Sequence, residues 1–304
     1  MKIAAMGAGG VGGYFGARLQ QAGHEVTFFA RGRHLQAIRD QGLAIESTHG
    51  SARLKVRVLE DPREAEAVDV VLFAVKLWDT ESAAERLRPI VGPHTTVIPF
   101  QNGVESIERL RKVFSEENVI GGSAYIATRI KSPGVIEHTG QMARIQFGPV
   151  IPSQRPAAES FLAVCREAKI QAEIPENIVK ANWEKFVFLV ALSSATALAR
   201  APIGVVRSDP DLRWLFEQAM RETWRVGRAR GVALADDYVE QRMAFADGLH
   251  ADMKASLLHD LENRGRLEAP WLCGAVARMA TELGIEAPIN RSVYAALKPY
   301  LNGQ

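Results

Sequence analysis

Near its start the chain reads Lys2-Ile3-Ala4-Ala5-Met6-Gly7-Ala8-Gly9-Gly10-Val11-Gly12, an apolar run followed directly by a Gly-x-Gly-x-x-Gly loop. The apolar run predicts a buried strand, and the pattern after the loop predicts a helix. In a strand, loop and helix of this kind, Gly7 permits the tight turn, Gly9 lets the backbone approach a pyrophosphate, and Gly12 lets helix pack on strand. The helix N-terminus then faces the phosphates. The stretch predicts a dinucleotide site formed by Gly7, Ala8, Gly9, Gly10, Val11 and Gly12, the alternative being a glycine turn without a ligand.

Short β-branched runs alternate with helical patterns over the first half of the chain, which is typical of a parallel α/β sheet. We predict strands at residues 2–6, 25–30, 69–75 and 96–100, and helices at 13–21, 33–41, 80–90 and 105–114. Residues 119–147 read as extended segments around a turn at Ser132-Pro133-Gly134, a hairpin-like edge to the same sheet. A helix at 156–169 and a short strand at 172–174 complete this half.

The second half is almost wholly helical. We predict helices at residues 178–199, 211–230, 236–263, 270–283 and 290–298. A chain of 304 residues is about twice the size of one typical domain. The sequence therefore predicts an α/β Rossmann-type N-terminal domain, residues 1–174, plus an all-α C-terminal domain, residues 175–304.

Composition excludes several classes of protein. With 47% hydrophobic and 24% charged residues, the chain is an ordinary globular protein. A net charge of +2, with basic and acidic residues interleaved, predicts no nucleic-acid partner and favours a small anionic ligand. Cys165 and Cys273 are far apart and lack neighbouring metal ligands, so we expect neither a disulfide scaffold nor a metal site.

Neither a membrane span nor a secretory signal is expected. The longest apolar stretch, residues 186–192, is far shorter than the roughly 20 residues that a membrane span needs. Glycines interrupt the apolar start of the chain, and no cleavage-like segment follows. We therefore expect a cytoplasmic protein with no membrane partner.

The residues after the second strand bear on the identity of the dinucleotide. That strand is followed by Arg31-Gly32-Arg33, at the position where an NAD-dependent enzyme carries an Asp or Glu for the ribose hydroxyls. A guanidinium there pairs with the 2′-phosphate of NADP and stacks on adenine. Arg31 therefore predicts NADP as the cofactor, unless Arg31 and Arg33 are only solvated surface charges.

Three further positions are candidates for chemistry. Lys76 and Gln101-Asn102-Gly103 each follow a predicted strand, at the edge of a parallel sheet where ligands bind. Lys185 lies directly before the apolar run 186–192, where a partly desolvated lysine could donate a proton. The alternatives are a salt-bridged Lys76, an Asn-Gly turn, and a Lys185 that only extends to solvent.

Taken together, the motifs resemble the ketopantoate reductase family in order and spacing over essentially the whole chain. The matching segments are the glycine loop, Arg31, Ala74-Val75-Lys76, Gln101-Asn102-Gly103, Trp183-Glu184-Lys185-Phe186, Ser256-Leu257-Leu258-His259-Asp260 and Gly265-Arg266-Leu267-Glu268. The resemblance implies NADPH-dependent reduction of a small-molecule 2-oxo acid, 2-dehydropantoate (ketopantoate), to a 2-hydroxy acid on the route to pantothenate. It also implies that the first domain binds NADP, that the helical domain binds substrate, and that the protein is a homodimer.

The resemblance assigns roles to individual residues. Lys185 would be the general acid, Asn102 would lie beside nicotinamide and substrate, and Lys76 would lie near the cofactor. Ser256 would hydrogen-bond the substrate carboxylate. Glu268 would sit by the cofactor ribose or orient Lys185. The alternatives are that Ser256 is a plain helix serine and Glu268 a helix cap.

The chain departs from the family pattern around the substrate. The family helix usually carries substrate-binding asparagines four and eight residues after the lysine, and here those positions are Leu189 and Ser193, leaving Ser193 as the polar group that we expect to bind substrate. A third asparagine falls near Ile203, and the threonine before the glutamate is Leu267. Two alternatives follow: a paralogue that reduces a more apolar 2-oxo acid, and a non-catalytic NADPH-binding sensor.

Overall fold

The computed structural model of this protein describes residues 1–303, which contain ten strands and twelve α-helices. The strands are β1 (Lys2–Met6), β2 (Glu25–Phe29), β3 (Leu43–Ser47), β4 (Ala52–Leu54), β5 (Arg57–Leu59), β6 (Val70–Phe73), β7 (Thr96–Pro99), β8 (Gly121–Ser132), β9 (Val135–Gly148) and β10 (Gln171–Glu173). The helices are α1 (Gly10–Gln21), α2 (Gly32–Gln41), α3 (Thr80–Leu87), α4 (Ser106–Leu110), α5 (Arg155–Glu167), α6 (Ile178–Ala199), α7 (Ile203–Ser208), α8 (Pro210–Ala229), α9 (Tyr238–Asp247), α10 (Ser256–Glu262), α11 (Cys273–Glu282) and α12 (Pro288–Leu297).

A five-stranded parallel sheet in the order β5-β2-β1-β6-β7 forms the centre of the first half. Its two faces are both buried: Ile3 and Ala5 pack into one apolar cluster, and Ala4 and Met6 into another. Burial on both faces explains why the strands are continuous apolar runs instead of alternating ones. Because all five strands run in the same direction, the loops that follow them meet at one edge of the sheet.

The hairpin β8–β9 belongs to a second sheet, so the prediction that it edges the first sheet is wrong. β9 pairs with β8, β10 and β3, and β4 completes the sheet beyond β3. The strand β3, which the sequence pattern did not reveal, takes β9 as a parallel partner from Ala44 opposite Val135 onwards. An isolated parallel bridge pairs Val97 of β7 with Val119, which lies two residues before β8.

Within the second sheet, His138 provides a test of pH-dependent stability. Its Nδ1 lies 2.8 Å from the Ser47 hydroxyl, and its Nε2 donates to the Met142 carbonyl oxygen at 3.1 Å. Burial lowers the pKa of His138 below 6.5. Between that lowered pKa and 6.5 the unfolded chain binds more protons, so the free energy of unfolding falls as the pH falls. In urea titrations we expect His138→Gln to show a shallower pH dependence of stability than the wild type below pH 6.5; equal slopes would contradict this account.

The named elements of residues 179–303 are all helices, as predicted, and they include the short helix α7, which the sequence pattern did not indicate. The predicted helix 236–263 is in fact two helices, α9 and α10, separated by the non-helical residues 248–255. At the end of α9 the carbonyl oxygens of Ala246, Asp247 and Leu249 accept hydrogen bonds from the Arg207 guanidinium. None of the helices in residues 1–303 combines the length and apolar character required to cross a membrane.

The predicted fold class, a Rossmann-type α/β domain followed by a helical domain, is therefore confirmed. The chain divides into two compact units, Met1–Ile178 and a unit that begins at Val179. The roles assigned to residues 1–174 and 175–304 stay predictions.

Candidate functional site

Tight backbone packing shapes the glycine loop after β1. Gly7 has a φ of +96°, and a Cβ there would lie 2.9 Å from the backbone of Ala74. A Cβ at Gly12 would overlap the Gly7 carbonyl oxygen. The N–H groups of Gly7 and Ala8 both donate to the Phe29 carbonyl oxygen, at 3.3 and 3.0 Å. Gly7 and Gly12 are therefore required by the fold of the loop itself.

The space beside Gly9 is open. Gly9 is the N-cap of α1, and a Cβ built on it would meet no atom within 4 Å. No side chain caps this helix end, and its first turn carries no acidic residue. The first N–H groups of a helix have no partner within it, so such an end attracts negative charge. The residues present therefore fit the pyrophosphate of a dinucleotide.

The remaining loop residues support this end of α1. Ala8 and Val11 contribute to the apolar cluster below the loop. A Cβ on Gly10 would lie 2.7 Å from the Thr128 hydroxyl, so Gly10 allows β8 to pack closely on the start of the helix. The contact with Thr128 has no signal in the sequence, because it depends on the second sheet.

Arg31 is the N-cap of α2, directly after β2, and its side chain is 62% exposed. The sequence shows no acid at this position, but the fold brings one from elsewhere: the Arg31 guanidinium lies 2.6 Å from the carboxylate of Asp79. Asp79 closes the turn after β6, in the segment that begins with Lys76. Its position after a parallel strand is the signal that could have identified it. The pair places a cation and an anion side by side at the same edge of the sheet.

Lys76 is exposed at this sheet edge. Its ammonium lies over the ring of Trp78, 5.6 Å from the ring centroid. An ammonium over an aromatic face is attracted to the ring, which keeps the Lys76 side chain close to the turn after β6. The turn therefore presents a cation beside the end of β6.

The loop after β7 is tied to the loop after β6 by Gln101. This side chain is buried, and its Nε2 donates to the Val75 carbonyl oxygen and the Thr80 hydroxyl, each at 2.9 Å. Gly103, with a φ of +88°, reverses the direction of the chain after β7. Asn102, half-buried between Gln101 and Gly103, is thus carried on a braced loop. In the first unit, the glycine loop, Arg31, Lys76 and Asn102 all follow parallel strands at one edge.

In the second unit, Lys185 lies half-buried on α6. The neighbouring Trp183 is 4% exposed and meets Phe186 edge to face, with ring centroids 5.6 Å apart. The Tyr238 hydroxyl donates to the Glu184 carbonyl oxygen at 2.6 Å. The backbone that carries Lys185 is therefore fixed on both sides by core contacts.

The positions at which the chain departs from the family pattern differ in burial. Leu189 is half-buried on α6, whereas Ser193 is fully buried, and among residues 1–303 its hydroxyl has no hydrogen-bond partner. Ile203 and Leu267 are core residues, 0% and 1% exposed. Leu189 is thus a half-buried apolar residue and Ser193 a fully enclosed one, and the role of Ser193 in substrate binding stays a prediction.

Ser256 and Glu268 have different surroundings. Ser256 is exposed at the first position of α10. Glu268 is 7% exposed, directly before a short 3₁₀ turn, Ala269–Trp271, that precedes α11. The Glu268 side chain makes no capping hydrogen bond to that turn, so the simple capping role is not observed. A buried carboxylate without a capping role is a candidate for function.

Comparison with known proteins agrees with these observations. The family model described as ketopantoate reductase PanE/ApbA matches residues 3–151, and the model of its C-terminal part matches residues 177–301. An uncharacterized oxidoreductase of Bacillus subtilis, YkpB, is 31% identical, and the alignment covers 99% of both chains. The crystal structure of a PanE/ApbA family ketopantoate reductase from Ralstonia eutropha is 33% identical, with a TM-score of 0.90 over 99% of this chain and 98% of that one.

A more distant structure shares the fold alone. D-mandelate dehydrogenase, solved with NADH and anilino(oxo)acetate, has a TM-score of 0.90 and 18% identity over 99% of this chain and 98% of that one.

The two family models together match most of the chain, in the order that the sequence motifs predict. The resemblance is therefore confirmed, and this chain is an oxidoreductase of the ketopantoate reductase PanE/ApbA family.

Proposed function

We propose that this protein reduces 2-dehydropantoate to pantoate with NADPH. The observation that supports this most directly is Lys185, a cation carried half-buried on a helix whose backbone is fixed by core contacts. Proton donors in enzymes need such fixed positions, because the gain comes from a group already aimed at the charge that develops. The family match over both halves of the chain supports the same reaction class.

When bound, the reduced nicotinamide would supply the hydride to C2 of the substrate. As the C2–O double bond becomes a single bond, negative charge develops on the oxygen, and the Lys185 ammonium donates a proton to it. Lys185 then regains a proton from solvent. Asn102 orients the reacting groups, Ser256 binds the substrate carboxylate, and Glu268 orients Lys185 or holds the ribose. Each of these roles is part of the proposal.

We propose NADP as the cofactor, because Arg31 stands at the end of β2 with an exposed guanidinium. The fold itself does not decide between cofactors, since D-mandelate dehydrogenase carries NADH on the same fold. We expect Arg31→Ala to raise the dissociation constant of NADPH about fivefold to tenfold, allowing for solvent screening, and to leave that of NADH nearly unchanged. Titration of both cofactors by fluorescence measures this.

Arg33→Ala is the matched control, since Arg33 is the other exposed guanidinium of the same segment. We expect it to change neither dissociation constant. If Arg33→Ala lowers the preference for NADPH and Arg31→Ala does not, the 2′-phosphate contact belongs to Arg33.

One observation favours a second candidate, the reduction of a more apolar 2-oxo acid. Leu189 is accessible on α6 where the family pattern has a polar residue, and Ile203 and Leu267 are buried in the core. Leucine offers no hydrogen bond to a substrate hydroxyl, and each buried polar group left unmatched costs roughly 1 to 3 kcal/mol. A substrate without the hydroxyl would avoid that cost.

Oxidation of NADPH with 2-dehydropantoate and a series of 2-oxo acids of increasing apolar bulk tests these candidates. The highest kcat/KM for 2-dehydropantoate would support the proposal and show that Leu189 is tolerated. A higher kcat/KM for a bulkier apolar acid would assign the chain to the second candidate. Tight NADPH binding without any turnover would replace both by a non-catalytic sensor.

We also propose that the protein is cytoplasmic and forms a homodimer. Light scattering of the purified protein measures its molar mass in solution and so tests the homodimer.

A further inference from the structure

His34, in the first turn of α2, bridges the glycine loop and the turn of the β8–β9 hairpin. Its Nε2 lies 2.8 Å from the Ala8 carbonyl oxygen, and its Nδ1 lies 3.0 Å from the Gly134 N–H. A carbonyl oxygen can only accept a hydrogen bond, and a backbone N–H can only donate one. Both contacts are satisfied by one form of the ring, the neutral tautomer with its proton on Nε2.

The hairpin side of this bridge is held firmly. Gly134 has a φ of +80°, and a Cβ there would lie 3.2 Å from the Cβ of Ala37, so the turn sits directly on α2. The Gly134 carbonyl oxygen accepts from the Ala44 N–H at 2.9 Å. Both polar backbone groups of Gly134 are therefore bonded, and the turn fixes the orientation of the His34 ring.

On the loop side, the bridge determines the orientation of one peptide plane. The Ala8 N–H is held by Phe29, and the Ala8 carbonyl by His34. Because the peptide bond is planar and trans, the Gly9 N–H points opposite to the Ala8 carbonyl. Holding that carbonyl on His34 directs the Gly9 N–H away from α2. Gly9 is the residue beside which the structure is open.

We infer that His34 is a positioning residue that holds the glycine loop in its dinucleotide-binding conformation. The inference rests on the cofactor binding in the proposed function. A loop free to rotate the peptide between Ala8 and Gly9 would present the Gly9 N–H only part of the time, and the apparent dissociation constant rises as that fraction falls. His34 orders the peptide between Ala8 and Gly9 in the cofactor-free protein and makes no contact with the cofactor itself.

Three variants separate the two hydrogen bonds of His34. In His34→Gln the side-chain amide nitrogen can take the place of Nε2 and keep the bond to Ala8. In His34→Asn the amide oxygen can take the place of Nδ1 and keep only the bond to Gly134. His34→Ala removes both. We expect His34→Asn and His34→Ala to raise the dissociation constant of NADPH about threefold to tenfold, which corresponds to the loss of one hydrogen bond. His34→Gln should stay within about twofold of the wild type.

The readouts are NADPH titration by fluorescence and the melting temperature of the protein without cofactor. His138→Ala is the matched control, since His138 also bridges two partners, Ser47 and Met142, but does not touch the glycine loop. It should lower the melting temperature and leave the NADPH dissociation constant unchanged. If His34→Asn lowers only the melting temperature, or His34→Gln binds as weakly as His34→Ala, the positioning role is wrong. If the wild type itself does not bind NADPH, the proposed function fails instead.

Discussion

Lys185→Ala is expected to abolish most of the NADPH-dependent reduction while leaving NADPH affinity unchanged. The variant removes the proton donor, whose contribution in comparable enzymes is about 100-fold to 10,000-fold in rate. Lys185 is carried on α6, whereas the glycine loop and Arg31 belong to the first unit, so the cofactor contacts remain. Single-turnover rates and NADPH titration, measured on the same preparation, separate the two effects.

Lys180→Ala is the matched control for this experiment. Lys180 lies on the same helix and pairs with Glu184 at 3.8 Å, so its removal takes a similar side chain and charge from α6. We expect the rate of Lys180→Ala to stay close to that of the wild type. A Lys185→Ala variant with the wild-type rate would show that another group donates the proton.

Gly9→Ala is expected to weaken NADPH binding strongly without destabilising the protein. A methyl group there meets no protein atom within 4 Å, and the backbone φ of −79° suits alanine. Replacing the glycine N-cap lowers the free energy of unfolding, whereas the reduced entropy of the unfolded chain raises it. Each effect is about 1 kcal/mol or less, so they largely cancel. In the complex, the methyl group would occupy the space of the pyrophosphate. Overpacking costs about 1 to 3 kcal/mol, or roughly a 5-fold to 150-fold higher dissociation constant.

Two other glycines make this result interpretable. At Gly92 a Cβ would approach only the Thr95 hydroxyl, at 3.9 Å, so Gly92→Ala should change neither melting temperature nor NADPH affinity. At Gly12 a Cβ would overlap the Gly7 carbonyl oxygen, so Gly12→Ala should lower the melting temperature as well as the affinity. If Gly9→Ala binds NADPH as tightly as the wild type, the pyrophosphate does not lie beside Gly9.

The sequence predicts four of the five strands of the first sheet but misses β5, and in the second sheet it misses β3 and β4 and therefore the partner of the hairpin. Strands buried on both faces, such as β1 and β6, are continuous apolar runs that stand out in the sequence. β4 has only three residues, and the apolar run of β3 ends at the exposed Glu46, so their pattern is weak. Without β3, nothing in the sequence indicates that the hairpin β8–β9 has a partner other than the first sheet.

The same limit applies to the candidate site. Gly7, Arg31 and Lys76 are adjacent to predicted strand ends, so local patterns suffice to find them. Asp79 and His34 act on residues far away in sequence, Arg31 and Ala8, and only the folded chain brings them together. The full burial of Ser193 also depends on tertiary packing, which the helical period of α6 does not reveal, since that helix is apolar nearly all round.

The ion pair of Arg31 and Asp79 has an evolutionary consequence. In the proposed site the glycine loop would hold the pyrophosphate through main-chain N–H groups, so the side chains around the loop could change without loss of that contact. In the proposed site, by contrast, the choice between the two nicotinamide cofactors would depend on the Arg31–Asp79 pair, in which the Arg31 side chain is 62% exposed. Changing that choice takes one or two codon changes and no rearrangement of the core. Proteins with this fold can therefore change from one nicotinamide cofactor to the other more easily than they can lose dinucleotide binding altogether.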